Sequence, residues 1–177
     1  VLKSLFKGCQ LLQKNKCKFI VIPCNTAHFW FNDLVSKTKI PIINMPKEVF
    51  NFTKKKCKKN STIGLLATEG TIKTRIYNSF FDKDYKIIIP KSNIQLNSVN
   101  KAIKLVKMGN VKKAGKVIIP AINFLIKKRC KKIILGCTEL PIAIFAYQSF
   151  KKVKSSKIFL DPNLILASAA MRKYKRL

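Results

Sequence analysis

The chain has 177 residues, 47% of them hydrophobic, which is enough for one substantial domain or two small lobes around a packed core and excludes a disordered chain. Its 37 Lys and Arg against 7 Asp and Glu give a formal charge of +30, a balance that by itself points to a nucleic-acid or anionic-surface partner. The basic residues are nearly all Lys, however, and are spread through every segment. Their densest runs, at 54–59 and 127–132, precede apolar segments, where helix C-termini favour cations, so nucleic acid is not the expected partner.

The first dozen residues place Leu2, Leu5, Phe6, Leu11 and Leu12 at helical spacing. Residues 19–22 form a short apolar run closed by Pro23, which predicts a buried parallel strand, and Cys24-Asn25-Thr26 then opens a helix over 27–36. A second strand is predicted at 40–43 and a helix at 46–58. The same order repeats from Thr62: a strand to Thr68, a turn at Glu69-Gly70, a helix over 71–80 and a strand at 86–89. Helices follow at 95–108 and 112–128, separated by Gly109-Asn110. A strand at 133–136 runs into Cys137-Thr138-Glu139 and a helix over 140–148. A last strand at 157–160 precedes a helix with Asp161 as N-cap and Pro162 in its first turn. The alternation predicts an α/β fold of two similar lobes, each a parallel sheet flanked by helices, with the active site in the cleft between them. The lobes are placed at 1–58 and 59–149, with 150–177 returning to the first.

Six cysteines, Cys9, Cys17, Cys24, Cys57, Cys130 and Cys137, contain no Cys-x-x-Cys pair, and His28 is the sole histidine. No metal site and no disulfide scaffold is therefore expected. No signal-like segment or membrane-length apolar run is present, which predicts a cytoplasmic protein with free thiols.

Two segments carry the chemistry, Ile22-Pro23-Cys24-Asn25-Thr26-Ala27-His28 and Leu135-Gly136-Cys137-Thr138-Glu139-Leu140-Pro141. Each sets a Cys and small hydrogen-bonding residues between an apolar strand and a helix start. Ligands of open parallel sheets bind at the strands' carboxyl ends, and a helix N-terminus there offers free N–H groups to a carboxylate. The same setting is expected to lower a cysteine pKa. Inverting an acidic carbon needs a base on one face and an acid on the other, and a thiol/thiolate pair can serve in both directions. Cys24 and Cys137 are the candidates. Cys9, Cys17, Cys57 and Cys130 are read as small buried hydrophobes.

These two motifs resemble the signatures of the aspartate/glutamate racemase family. The segment Gly64-Leu65-Leu66-Ala67-Thr68-Glu69-Gly70-Thr71 is similar to the family's strand and turn opening the second lobe, and Asp161-Pro162 to its closing helix. His28 after Ala27 and Glu139 after Thr138 look more like the aspartate branch. The resemblance implies racemisation of an acidic amino acid, aspartate above all, with no pyridoxal phosphate, metal or other cofactor, often in a homodimer. It places proton transfer on Cys24 and Cys137 and carboxylate contacts on Asn25 and Thr26, with Thr138 a further substrate contact. Glu139 would orient that region, and Thr68 and Thr71 either cap helices or face the cleft. His28 is read as a structural histidine able to tune Cys24. The family's leading Gly-rich strand turn and its basic contact are not found, and a Lys it places before the mid-chain helix aligns with Asn97. With Val1 as first residue, this leads us to expect a fragment or remnant. Maleate isomerases and arylmalonate decarboxylases, which resemble the family, an inert pseudoenzyme and a basic nucleic-acid-binding module are the competing readings.

Overall fold

The structure, a computed structural model, describes residues 1–151 and 156–176, leaving aside the side chains of 148–151 and 156. Its sheet is built from β1 (Thr62–Ala67), β2 (Lys86–Ile88), β3 (Lys132–Gly136) and β4 (Phe159–Leu160), in the order β2-β1-β3-β4. All three pairings are parallel, and β1 and β3 are in register from Ile63↔Lys132 to Ala67↔Gly136. Side chains alternate between the two faces as the pleat requires. Leu66, Ile133 and Leu135 pack into one core, and Ile63, Leu65, Ala67, Ile134 and Leu160 into the other. The first core is covered by α7 (Lys101–Lys107), α8 (Val111–Val117), α9 (Ile119–Lys127) and α10 (Leu140–Lys151). Val49 of α3 (Met45–Lys54), Phe81 of α5 (Asn78–Phe81) and Ile165 of α11 (Pro162–Tyr174) cover the second. Truncating a fully buried Leu or Ile in either core costs about 2–5 kcal/mol.

The first lobe is less regular than its sequence suggests. Helix α1 (Leu2–Lys14) packs Cys9 against Ile20, Leu34 and Ile42. The strands expected at 19–22 and 40–43 are extended but meet at a single parallel bridge, Ile20↔Ile42. Ile20 donates its N–H to the Pro41 carbonyl and accepts from the Ile43 N–H. Pro41 and Pro23 supply no N–H of their own, so the ladder cannot lengthen through either residue. The helix expected at 27–36 is a 3-10 turn (Thr26–Trp30) continuing into α2 (Phe31–Ser36).

Other boundaries moved for local reasons. The helix predicted over 71–80 is α4 (Glu69–Lys73) and then α5, broken at Arg75, whose φ of 53° no helix accommodates. The helix predicted from 95 begins at α6 (Ser92–Ile94) and passes through a π-helical turn, Gln95–Asn100, before α7. Asp161 caps α11 by accepting from the Asn163 N–H at 2.8 Å, with Pro162 in the first turn, as the sequence predicts. The expected division at 149/150 falls inside α10. Of the final segment, residues 152–155 lie outside the described residues. The strand within it pairs with β3 and so extends the second-lobe sheet, instead of joining the first lobe. Helix α11 does reach the first-lobe segments, packing Leu166 and Ala169 on Ile43 and Met45.

Candidate active site

Cys24 ends the extended run that begins at Ile20. Its N–H bonds the Ile22 carbonyl at 2.8 Å, a tight turn that leaves the residue exposed. Its carbonyl accepts a hydrogen bond from His28 Nδ1 at 2.9 Å, while His28 Nε2 accepts from the Met45 N–H at 3.1 Å. An amide N–H can only donate, so this network assigns the proton to Nδ1. Burial pushes the His28 pKa below its ordinary value against the opposing backbone hydrogen bonds, and the ring stays neutral. His28 thus pins the Cys24 backbone to the first residue of α3, a structural role that also positions the cysteine.

Asn25 is buried, 3% exposed, and its orientation is set by a residue that sequence reasoning missed. Tyr77, fully buried, donates its hydroxyl to Asn25 Oδ1 at 2.5 Å. Burial, reinforced by the charge of Asp161, raises the Tyr77 pKa, so the phenol keeps its proton and remains the donor. With Oδ1 occupied, Asn25 Nδ2 is buried without a partner. An orphan donor of this kind costs about 1–3 kcal/mol, and an incoming acceptor would recover it. No sequence signal pointed to Tyr77, which lies 52 residues away.

Thr26 bonds Thr71 Oγ1 at 2.8 Å and Thr68 Oγ1 at 3.3 Å, and Thr68 also caps α4 by accepting from the Thr71 N–H. The two threonines after β1 therefore serve as cap and as contact with the first motif at once. A Cβ at Gly70 would lie 3.2 Å from Thr26 Cγ2, so the absence of a side chain there lets the two turns close on each other.

Cys137 follows the inner strand β3, one residue beyond the Ala67↔Gly136 pair, so it stands beside the Thr68 turn. A Cβ on Gly136 would come within 2.9 Å of Ala67 Cβ, which explains a glycine immediately before the cysteine. Cys137 is buried, and its thiol donates to Glu139 Oε2 at 2.8 Å; exposed Thr138 donates to the same oxygen at 2.9 Å. Glu139 Oε1 lies 3.6 Å from Lys107 Nζ on α7. Burial, with the hydrogen bond and charge of Glu139, pushes the Cys137 pKa up to about 12, opposite to the expectation drawn from the helix N-terminus. Desolvation and a neighbouring carboxylate outweigh the Glu139 backbone hydrogen bond and the Lys107 charge, which favour the thiolate. Burial opposes ionisation of Glu139, but the hydrogen bonds from Cys137 and Thr138 and the Lys107 ammonium outweigh it and hold the carboxyl below its usual range.

A third group braces the end of β1. Gln95 donates from Nε2 to the Ala67 carbonyl at 2.9 Å and to Asn100 Oδ1 at 2.8 Å, and Asn100 Nδ2 donates to Glu69 Oε1 at 2.9 Å. The carboxylate, an acceptor only, fixes the Asn100 amide, and that in turn fixes Gln95. Asn97, the position expected from the resemblance to replace a Lys, is exposed on this π-helical turn; the side chain that reaches the β1 terminus is Gln95, two residues earlier. Of the remaining cysteines, Cys9 and Cys130 are buried as expected, whereas Cys17 and Cys57 are only partly so. A cavity of about 570 Å³ lies between α3, α10 and α11, but neither Cys24 nor Cys137 lines it, and its charged pair Glu48–Arg172 is already bonded at 2.8 Å. Among the described residues no three His, Cys, Asp or Glu side chains converge to hold a metal ion, and no helix is long and apolar enough to cross a membrane.

The chain is 24% identical over 172 residues to the broad specificity amino-acid racemase RacX of Bacillus subtilis (strain 168), a match covering 97% of this chain and 71% of that protein. It is 31% identical to the glutamate racemase of Oceanobacillus iheyensis over 75% of this chain and 47% of that enzyme. The solved Picrophilus torridus aspartate racemase superposes with a TM-score of 0.80 at 28% identity, over 97% of this chain and 68% of that one. Both cysteine turns, and the β1–β3 sheet that aligns Cys137 with the Thr68 turn, lie inside residues 2–170, the span that matches Asp/Glu/Hydantoin racemase; the chain belongs to that family.

Proposed function

We propose that the protein racemises an acidic amino acid, aspartate before glutamate, by a two-cysteine acid/base mechanism that uses no cofactor. Cys24 takes the α-proton from one face and Cys137 delivers a proton to the other, and the roles exchange in the reverse direction. The Asn25 amide, its Oδ1 tied to Tyr77 and its Nδ2 unpaired, supplies a donor for the substrate carboxylate, with the Thr26 and Thr138 hydroxyls as its further contacts in this reading. Held between donors, the α-carboxylate can accept the charge that develops on deprotonation.

The observation that carries the reading is the matched placement of the cysteines. One is exposed and one is buried with its proton on a hydrogen bond, each directly beyond an extended segment, and the two turns are tied together through Thr26 and the β1–β3 register. Basic residues lie on helices covering both faces of the sheet, which does not favour the nucleic-acid reading. Chiral analysis after incubation with L-aspartate or L-glutamate tests the proposal. We expect D-aspartate to accumulate faster than D-glutamate; inversion of neither would overturn the racemase reading, and a preference for glutamate would overturn the specificity.

A further inference from the structure

The turn after β3 holds a group for which the two-cysteine scheme has no use. Glu139 stands two residues after Cys137 with its side chain 19% exposed, and its two oxygens face opposite ways chemically. Oε2 receives the Cys137 thiol at 2.8 Å and the Thr138 hydroxyl at 2.9 Å, while Oε1 faces the Lys107 ammonium at 3.6 Å, whose side chain is 62% exposed. A continuous path of polar atoms therefore leads from a buried sulfur through a carboxylate to solvent. Glu139 from its own turn and Lys107 from α7 are the charged groups acting on Cys137.

Building on the racemase reading above, we propose that Glu139 is a catalytic residue: its carboxylate holds Cys137 as the thiol in the resting protein, making it the acid, and restores that proton after each transfer. The proton balance is closed. In the forward step Cys24, as thiolate, removes the α-proton, and the Cys137 thiol gives its proton to the opposite face of the carbanion. The step leaves Cys24 as thiol and Cys137 as thiolate. A thiolate beside a carboxylate is a like-charge pair in a partly desolvated site, so it draws a proton onto Glu139 from water at the Lys107 end. Glu139 passes that proton to the Cys137 sulfur and returns to carboxylate, while exposed Cys24 releases its proton to solvent. One proton enters at Glu139 and one leaves at Cys24. Lys107 keeps the carboxylate ionised while the thiol is intact.

Site-resolved alkylation tests this without requiring activity. The full chain is treated with iodoacetamide at pH values from 6 to 10, and each cysteine is followed by peptide mass spectrometry. In the native protein Cys137 should alkylate slowly, its rate still rising at the highest pH. Glu139→Gln, which removes the charge and keeps the shape, should speed Cys137 alkylation at pH 8 by tenfold or more, since each unit of pKa is tenfold in thiolate. Glu139→Asp should fall between, and Cys24 should be unaffected. Lys107→Met, on an exposed helix face, should slow Cys137, because it removes the one nearby charge that favours the thiolate; this variant keeps the test decisive if the Gln variant misfolds. Unchanged Cys137 rates in folded variants would overturn the proposal. In the racemase assay, Glu139→Gln should lower kcat and move the alkaline limb of kcat/KM to lower pH, because Cys137 then loses its proton sooner; an unmoved limb would contradict the proposal. A Cys137 rate that responds to Glu139 in a protein without racemase activity would leave the thiol–carboxylate coupling standing and remove the reading on which its catalytic role rests.

Discussion

Cys24 and Cys137 occupy equivalent places in the repeated pattern of extended run, cysteine, small polar residue and helix start, yet the fold treats them differently. Cys24 closes a segment held by one β-bridge and stands exposed, its carbonyl fixed by a neutral histidine. Cys137 leaves an inner strand of a four-stranded sheet, is buried, and has its proton bonded to a carboxylate. Equal motifs therefore need not create equal thiols. Desolvation and one adjacent carboxylate raise the Cys137 thiol, and they divide the pair into an accessible member and a proton-holding member.

The largest effect expected is on the chemistry. Cys24→Ser and Cys137→Ser should each lower kcat for aspartate inversion by at least about 100-fold, because removing an acid or base forfeits its contribution. Circular dichroism should remain native for both. If only one substitution is deleterious, the two turns do not form a pair.

The next effect separates the two regions by packing. Gly136→Ala places a Cβ 2.9 Å from Ala67 Cβ and 3.3 Å from the Leu66 carbonyl, in the sheet where neither can retreat. A loss of about 1–3 kcal/mol in urea denaturation is expected, together with reduced activity through displacement of Cys137. Gly8→Ala in α1 meets nothing within 4 Å and should stabilise by about 0.5–1 kcal/mol through helix propensity alone. Equal responses at the two sites would remove the contrast in rigidity.

Thr71→Val tests the link between the turns. The residue is 1% exposed and bonds Thr26 at 2.8 Å, so losing the hydroxyl should cost about 1 kcal/mol. Activity should fall more than stability does, by an order of magnitude in kcat/KM, if the bond aligns the two motifs.

The smallest effect is a pH dependence. His28 has its folded pKa depressed by burial below the ordinary 6.5, so the unfolded chain binds its proton more readily than the folded one. Stability should be level in this contribution above pH 6.5 and decline as pH falls below it. Since His28 is the sole histidine, melting temperatures between pH 7 and 5 report on it directly, and His28→Gln should flatten the decline while lowering the plateau. A decline equally steep in the variant would assign it elsewhere.

What was legible in the sequence was whatever depends on neighbours in the chain. The strand at Thr62, the run into Cys137, and the Asp161-Pro162 cap each follow from local pattern, and each stands where expected. The first-lobe strands were misread because apolar runs announce burial but not pairing, and their prolines remove the donors a ladder needs. Partners far apart in sequence were invisible: Tyr77 on Asn25, Gln95 on Ala67 and Lys107 on Glu139 are meetings made by packing. The direction of the Cys137 shift was missed for the same reason, since burial and the orientation of a carboxylate belong to the folded chain.

The most direct test of the two-cysteine scheme is the position of deuterium early in the reaction of L-aspartate in deuterated water. Acid and base on opposite faces predict that the first D-aspartate formed carries deuterium at the α-carbon while recovered L-aspartate remains protiated. Early deuterium in both enantiomers, or inversion without any incorporation, would contradict it.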